Sequence, residues 1–362
     1  MTGTLKNNLS GLRPEDFQKT IKGKQTGLFF LRNKNGMEIA LTNYGGATLA
    51  IMAPDKNGKF GNVILGHDSI DHVINSPEPF LSTTIGRYGN RIAKGKFTLG
   101  GKLYSLAVNN GPNSLHGGPT GFHTAVWDVV KSDDSVLALT YTAADGEEGF
   151  PGKLIVNIEY RLTDDNEFVI SYKATTDKTT IVNLTNHGFF NLAGISDPTP
   201  TVCNNLLTIN ADYFIPIDEV SIPTGEILKV EGTPMDFRNA IAVGKRIDDD
   251  AEQLKNGAGY DHCFALNKSF AGELSFAVKC VEPVSSRKME VYTTEPGVQL
   301  YTGNWLNGFK GAHGATFPAR SAICFEAQHF PDTPNNTQFP SVILNPGETY
   351  TQTTVYKFGV ED

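Results

Sequence analysis

The chain has 362 residues, with 31 Lys+Arg against 39 Asp+Glu and a formal net charge of −8. That length suits two ordinary domains or one large all-β unit, and the acidic balance, with no basic stripe to neutralise phosphates, argues against a nucleic-acid partner. No stretch approaches the ~20 apolar residues of a membrane-spanning helix, so a membrane role is not expected.

Taken in order, residues 1–24 are polar and read as a loose arm; the opening MTGTLKNNLSGLRPEDF holds no apolar export core, so a cytoplasmic protein is expected. From Thr26 the chain breaks into short β-like runs at 27–32, 38–43, 47–52 and 62–65. Asn35-Gly36, Gly45-Gly46 and Asn57-Gly58 separate them, and Asn-Gly between alternating runs is the strongest short-range hairpin signal. Residues 68–74 make a helical turn or two, and 96–99 and 102–106 flank Gly100-Gly101 as another hairpin. Runs at 126–132, 136–141, 153–162 and 167–176 continue as a meander, and the texture persists through 179–191, 206–209, 262–266, 273–281, 288–294, 298–301 and 350–358. Helical periodicity is confined to a weak patch at 240–255. With no composition break or linker, residues 25–362 are expected to form one all-β domain, a large antiparallel β-sandwich. Cys203, Cys263, Cys280 and Cys324 are far apart and lack CxxC spacing, so free thiols are expected.

Several stretches carry more polar chemistry than plain strands need. The apolar run 321–325 delivers one carboxylate, Glu326, followed by Gln328 and His329 before Pro331. On a strand Cys324, Glu326 and Gln328 share a face, and a carboxylate so placed needs a partner or a cavity. IGRYGNRI (85–92) offers Asn90 and Arg91 in a compact loop, a fork of donors suited to ligand hydroxyls. NNGPNSLHGG (109–118) sets His116 before two glycines, where backbone bends close to a ligand. In VNLTNHGFFNL (182–192) alternation puts Asn183, Thr185, His187, Phe189 and Asn191 on one face, a polar row that fits a sugar-binding surface. GYDHCF and GVQLYTGN add Asp261 and Gln299. Phosphate-loop, dinucleotide and nucleophile-elbow spacings are missing, and the histidines lack metal-ligand spacing. One histidine, one carboxylate and a ring of hydrogen-bonding residues without cofactor suit proton transfer on a neutral polyol.

IGRYGNRI, NSLHGG, LTNHGFFNLAG, GYDHCF, GVQLYTGNW and CFEAQHFPDTPNN, in this order from Gly86 to Asn336, resemble the aldose 1-epimerases, the galactose mutarotases. The resemblance implies a galactose mutarotase-like supersandwich with a sugar site on its concave side. It also implies an enzyme without cofactor or metal that interconverts the α and β anomers of free aldohexoses such as galactose and glucose, working as a monomer or homodimer. His187 would be the acid and Glu326 the base, with Asn90, Arg91, His116, Asp261 and Gln299 holding the sugar. His187 must then be protonated when the ring form arrives, so a nearby anion raising its pKa is expected. Two other readings stay open: a non-catalytic carbohydrate-binding module, and a hexose-phosphate epimerase, which would need cations beyond Arg87 and Arg91.

Overall fold

The computed structural model describes residues 8–361. Its main sheet has nine antiparallel strands, and the period-2 pattern of the sequence explains them. Leu154–Leu162, LIVNIEYRL, buries every second residue and exposes those between. In spatial order the strands are Asp128–Ser132, Val136–Ala143, Leu154–Leu162, Glu167–Thr176, Tyr350–Val360, Arg287–Thr293, Ser275–Val281, Leu206–Ile209 and Ile241–Ala242. A second sheet of five antiparallel strands runs Leu228–Lys229, Tyr213–Ile215, Asp261–Ala265, Gly297–Tyr301 and Cys324–Gln328. A four-stranded sheet, Leu28–Arg32, Glu38–Thr42, Thr48–Pro54 and Phe60–Asn62, precedes both. The protein is thus all-β and antiparallel.

The nine- and five-stranded sheets share one buried cluster, in which Ile158, Ile170, Met289, Val291 and Tyr356 join Phe264, Val298, Leu300 and Phe325. Each such side chain contributes about 1.5–3 kcal/mol on burial. The middle strand of the large sheet also reaches across: the Tyr356 hydroxyl donates to the Phe325 carbonyl at 3.0 Å, and Gln352 Nε2 to the Ala327 carbonyl at 2.9 Å. The back of the Glu326 strand is thereby fixed by packing and by hydrogen bonds.

The hairpins sit where the turn residues place them, with Gly36, Gly58, Gly100 and Gly101 all at positive φ. Three expectations are corrected. Residues 8–24 are not loose, since Leu12 and Phe17 are buried beside Ala40, Leu49 and Ile70, and the Glu38 carboxylate accepts the Leu9 and Ser10 amides. Two apolar residues in a polar stretch are too sparse to show as a pattern; residues 1–7 lie outside the described residues. Within 240–255 only Glu252–Asn256 is α-helical, because Gly244 packs against Cys203 and Ala242 pairs with Leu206. The run 179–191 is not one strand but two short pieces, Thr180–Ile181 and Thr185–Asn186. Cys203, Cys263, Cys280 and Cys324 are free thiols. Among the described residues no helix is long and apolar enough to cross a membrane.

Candidate active site

The floor of the site follows from alternation on three neighbouring strands. Their registry sets Gln299 opposite Glu326 and Asp261 opposite Tyr301. Phe264, Leu300 and Phe325 turn into the core, so Asp261, Gln299, Tyr301 and Glu326 are left on the other face. Loops bring the rest. Asn90, Arg91, His116 and His187 join Asp261 and Glu326 around one cleft of about 280 Å³.

At its centre His187 Nε2 lies 3.5 Å from Glu326 Oε1, and the two side chains are only 7% and 2% exposed. Packing fixes the His187 ring: Phe189 stacks on it at 4.7 Å between centroids and His116 meets it edge-on at 5.1 Å. His116 and Asn90 brace each other, the Asn90 amide donating to His116 Nδ1 at 3.0 Å and the His116 amide to the Asn90 carbonyl at 3.1 Å. Both residues adopt positive φ, a conformation costing about 1–3 kcal/mol that this reciprocal pair offsets. Gly117 follows at φ +84°, so close to Gly86 that a β-carbon would stand 2.1 Å from its carbonyl oxygen. Arg91 reaches the Asp261 carboxylate at 3.5 Å and the Asn110 side-chain oxygen at 3.1 Å. Gln299 Nε2 donates to Asp261 Oδ1 at 2.7 Å.

Burial dominates the protonation of this cluster. It pushes the Glu326 carboxyl well above its ordinary value, with Asp261 adding to the effect against the pull of Arg91. It pushes His187 down to about 4, and His116 well below the usual imidazole range with help from His187 and Arg91. Both shifts run toward the uncharged forms of the pair, a carboxyl and a neutral imidazole. Asp261 attracts a proton to His187, but desolvation outweighs it, so the expected upward shift is corrected to a downward one. His116, His187 and Glu326 present ligand-type atoms within 4.8 Å of one another. Yet His116 Nδ1 already accepts the Asn90 amide, so in the neutral ring Nε2 carries the proton and donates instead of ligating.

Six of the residues singled out in the sequence, Asn90, Arg91, His116, His187, Asp261 and Glu326, line the cleft. Gln299 is buried behind Asp261, which it holds by a hydrogen bond. The polar row does not survive as a sugar-facing surface. Asn183 is fully buried and bonds the Gly89 and His329 backbone, and Asn191 bonds the Pro200 and Ser321 carbonyls. Arg87 is buried too, donating to the Pro151 carbonyl at 2.7 Å. The cleft also includes Glu78, Phe80, Tyr301 and Trp305, which sequence reasoning passed over. Trp305 had a readable signal, an indole among turn residues at the end of GVQLYTGNW; it is 68% exposed. Glu78 had none, since a lone acid between two prolines resembles any loop.

The family profile described as aldose 1-epimerase matches residues 28–357. A galactose mutarotase of Bos taurus is 43% identical over 332 residues, covering 91% of this chain and 94% of its own. An aldose 1-epimerase of Escherichia coli K12 is 36% identical over 343 residues, covering 94% and 97%. Among solved structures, an aldose epimerase homologue from C. elegans superposes with a TM-score of 0.86 at 32% identity, covering 93% of this chain and 100% of its own. A galactose 1-epimerase from Lactobacillus acidophilus gives 0.82 at 30%, covering 95% and 97%.

Proposed function

The chain belongs to the aldose 1-epimerase family, and from that premise we propose that it interconverts the α and β anomers of free aldohexoses, galactose and glucose among them. The observation that carries the reading is the His187–Glu326 pair, a proton donor and a proton acceptor 3.5 Å apart in a cleft rimmed with hydrogen-bonding groups. Asn90, Arg91, His116 and Asp261 bind the sugar, and Gln299 acts through Asp261.

The chemistry needs no group beyond these side chains. For the closed ring, ionised Glu326 takes the proton of the anomeric hydroxyl while protonated His187 gives one to the ring oxygen. The C1–O5 bond breaks and an aldehyde forms. Rotation about C1–C2 turns its other face to O5; His187 then recovers the proton from O5, Glu326 returns one to O1, and the ring closes as the other anomer. Both half-reactions keep one proton on the pair. Opening uses the pair with its proton on His187 and closure uses it with the proton on Glu326, so one turnover returns the pair to its starting form. Arg91 and the His116 Nε2–H steady the negative charge that grows on oxygen as the bond opens.

The cleft supports a neutral sugar over a phosphorylated one. Arg91 is its one strong cation among the described residues, set against Glu78, Asp261 and Glu326, while Arg87 is spent on the Pro151 carbonyl. Polarimetry on freshly dissolved α-galactose separates catalyst from binding module, since only a catalyst hastens the drift to equilibrium. Glu326→Gln and His187→Asn should each lower kcat by about two to four decades with the circular dichroism unchanged. Wild-type rotation kinetics in either variant would remove that residue from its role.

A further inference from the structure

The proton-transfer pair, Asp261 and Arg91 leave one carboxylate of the cleft without a task. Glu78 stands on a loop wall rather than on the sheet floor, half-buried and lining the same cavity as His187, Asp261 and Glu326. One of its oxygens accepts the Phe80 amide at 3.2 Å; no hydrogen bond reaches the other from the described residues. Its loop packs against three histidines. Phe80, two residues on, lays its ring edge-on to His116 and His123 at 4.6 and 4.7 Å and parallel to His187 at 6.4 Å.

Hydrogen-bond supply gives this carboxylate its meaning. Every sugar hydroxyl is a donor that needs an acceptor once it leaves water. Arg91 and the His116 Nε2–H are donors only. Asp261 already takes Gln299 at 2.7 Å and Arg91 at 3.5 Å, and Glu326 is occupied with the anomeric hydroxyl in the mechanism above. The free oxygen of Glu78 adds acceptor capacity on the loop side of the cleft.

We propose that Glu78 is a substrate-contacting, specificity-determining residue that accepts a hydroxyl of the aldose left unsatisfied by Asp261. The inference rests on the reading of the cleft as an aldose site. Burial lifts the Glu78 carboxyl to about 7, so the ionised acceptor gains population as pH rises through neutrality and sugar binding tightens with it.

The test is polarimetric, with KM and kcat measured for wild type, Glu78→Gln and Glu78→Ala on α-galactose and its monodeoxy derivatives between pH 5.5 and 8.5. Gln keeps an acceptor for the Phe80 amide, so the loop has no reason to move. KM should rise about tenfold or more in Glu78→Ala, the loss of one charged hydrogen bond, with kcat held. The fall of wild-type KM with rising pH should vanish in both variants. One monodeoxy sugar should bind wild type poorly yet show no further loss in Glu78→Ala. A KM within twofold of wild type on every sugar, or a loss confined to kcat, overturns the proposal. A wild-type protein that does not hasten mutarotation overturns the aldose reading beneath it, an outcome distinct from either.

Discussion

A strand carboxylate such as Glu326 is legible from sequence because alternation assigns its face before any coordinates exist. Gln299 shows the limit of that logic. It shares the face of Glu326, yet its side chain bonds Asp261 at 2.7 Å and does not line the cleft. The histidine before two glycines was legible for a different reason, and Gly117 shows why glycine is required there. Gly117→Ala would strain a residue at φ +84° and drive a methyl group into the Gly86 carbonyl, a backbone atom that cannot swing aside. A loss of about 1–3 kcal/mol is expected from the strain alone, together with a marked fall in activity as His116 is displaced. Chemical denaturation and polarimetry on the same sample would check both.

Between strands the informative contact lies off the cleft. Glu295, two residues before the Gly297–Tyr301 strand, pairs with His329, one residue past the Cys324–Gln328 strand, at 2.6 Å. The last rung of that ladder joins Gly297 to Gln328, so the pair closes the ladder that carries Gln299 and Glu326. His329 is held above the ordinary imidazole value because Glu295 outweighs the opposing effect of burial. A pKa raised on folding gives stability that is full below the unfolded value of about 6.5 and is lost as pH rises through the folded value. Tm should therefore decline from neutral toward alkaline pH, and Glu295→Gln should flatten that decline; an unchanged slope would deny the clamp. The sequence carries no sign of this pairing, because the partner of His329 is 34 residues away and follows no local period. The continuous strand expected over 179–191 failed for a related reason. Asn183 and Asn191 obey the period of two but spend their side chains on the backbone of other segments.

Across the whole molecule the sheets were readable, since hydrophobic alternation and turn residues recur along the chain, and six motifs in one order pointed to the site. The loop wall holding Glu78 was not, because nothing local says which loops fold over a cavity. Charge burial adds a global expectation. His67, His123, His187 and His262 are each pushed down to about 4 and His116 well below the usual range, chiefly by desolvation. These rings stay neutral when folded but take up protons when unfolded, so their effect is to erode stability as pH falls from about 6.5 toward 4. Glu78, Glu326 and Asp332, raised by burial, and His329, raised by Glu295, pull the other way but are fewer. Each unopposed histidine adds about 1.4 kcal/mol per pH unit. The urea midpoint at pH 5 should thus lie clearly below that at pH 6.5, and equal midpoints would contradict this balance.

The strand Tyr350–Val360 occupies the middle of the nine-stranded sheet and braces the back of the Glu326 strand, although it is synthesised after every other strand of both sheets. While the ribosome is still making it, Glu167–Thr176 and Arg287–Thr293 have no neighbour to join them, and the sandwich stays open at its centre. A nascent chain halted before residue 350 would therefore carry every residue of the cleft and still have no cleft, so the site is completed only after translation of this segment.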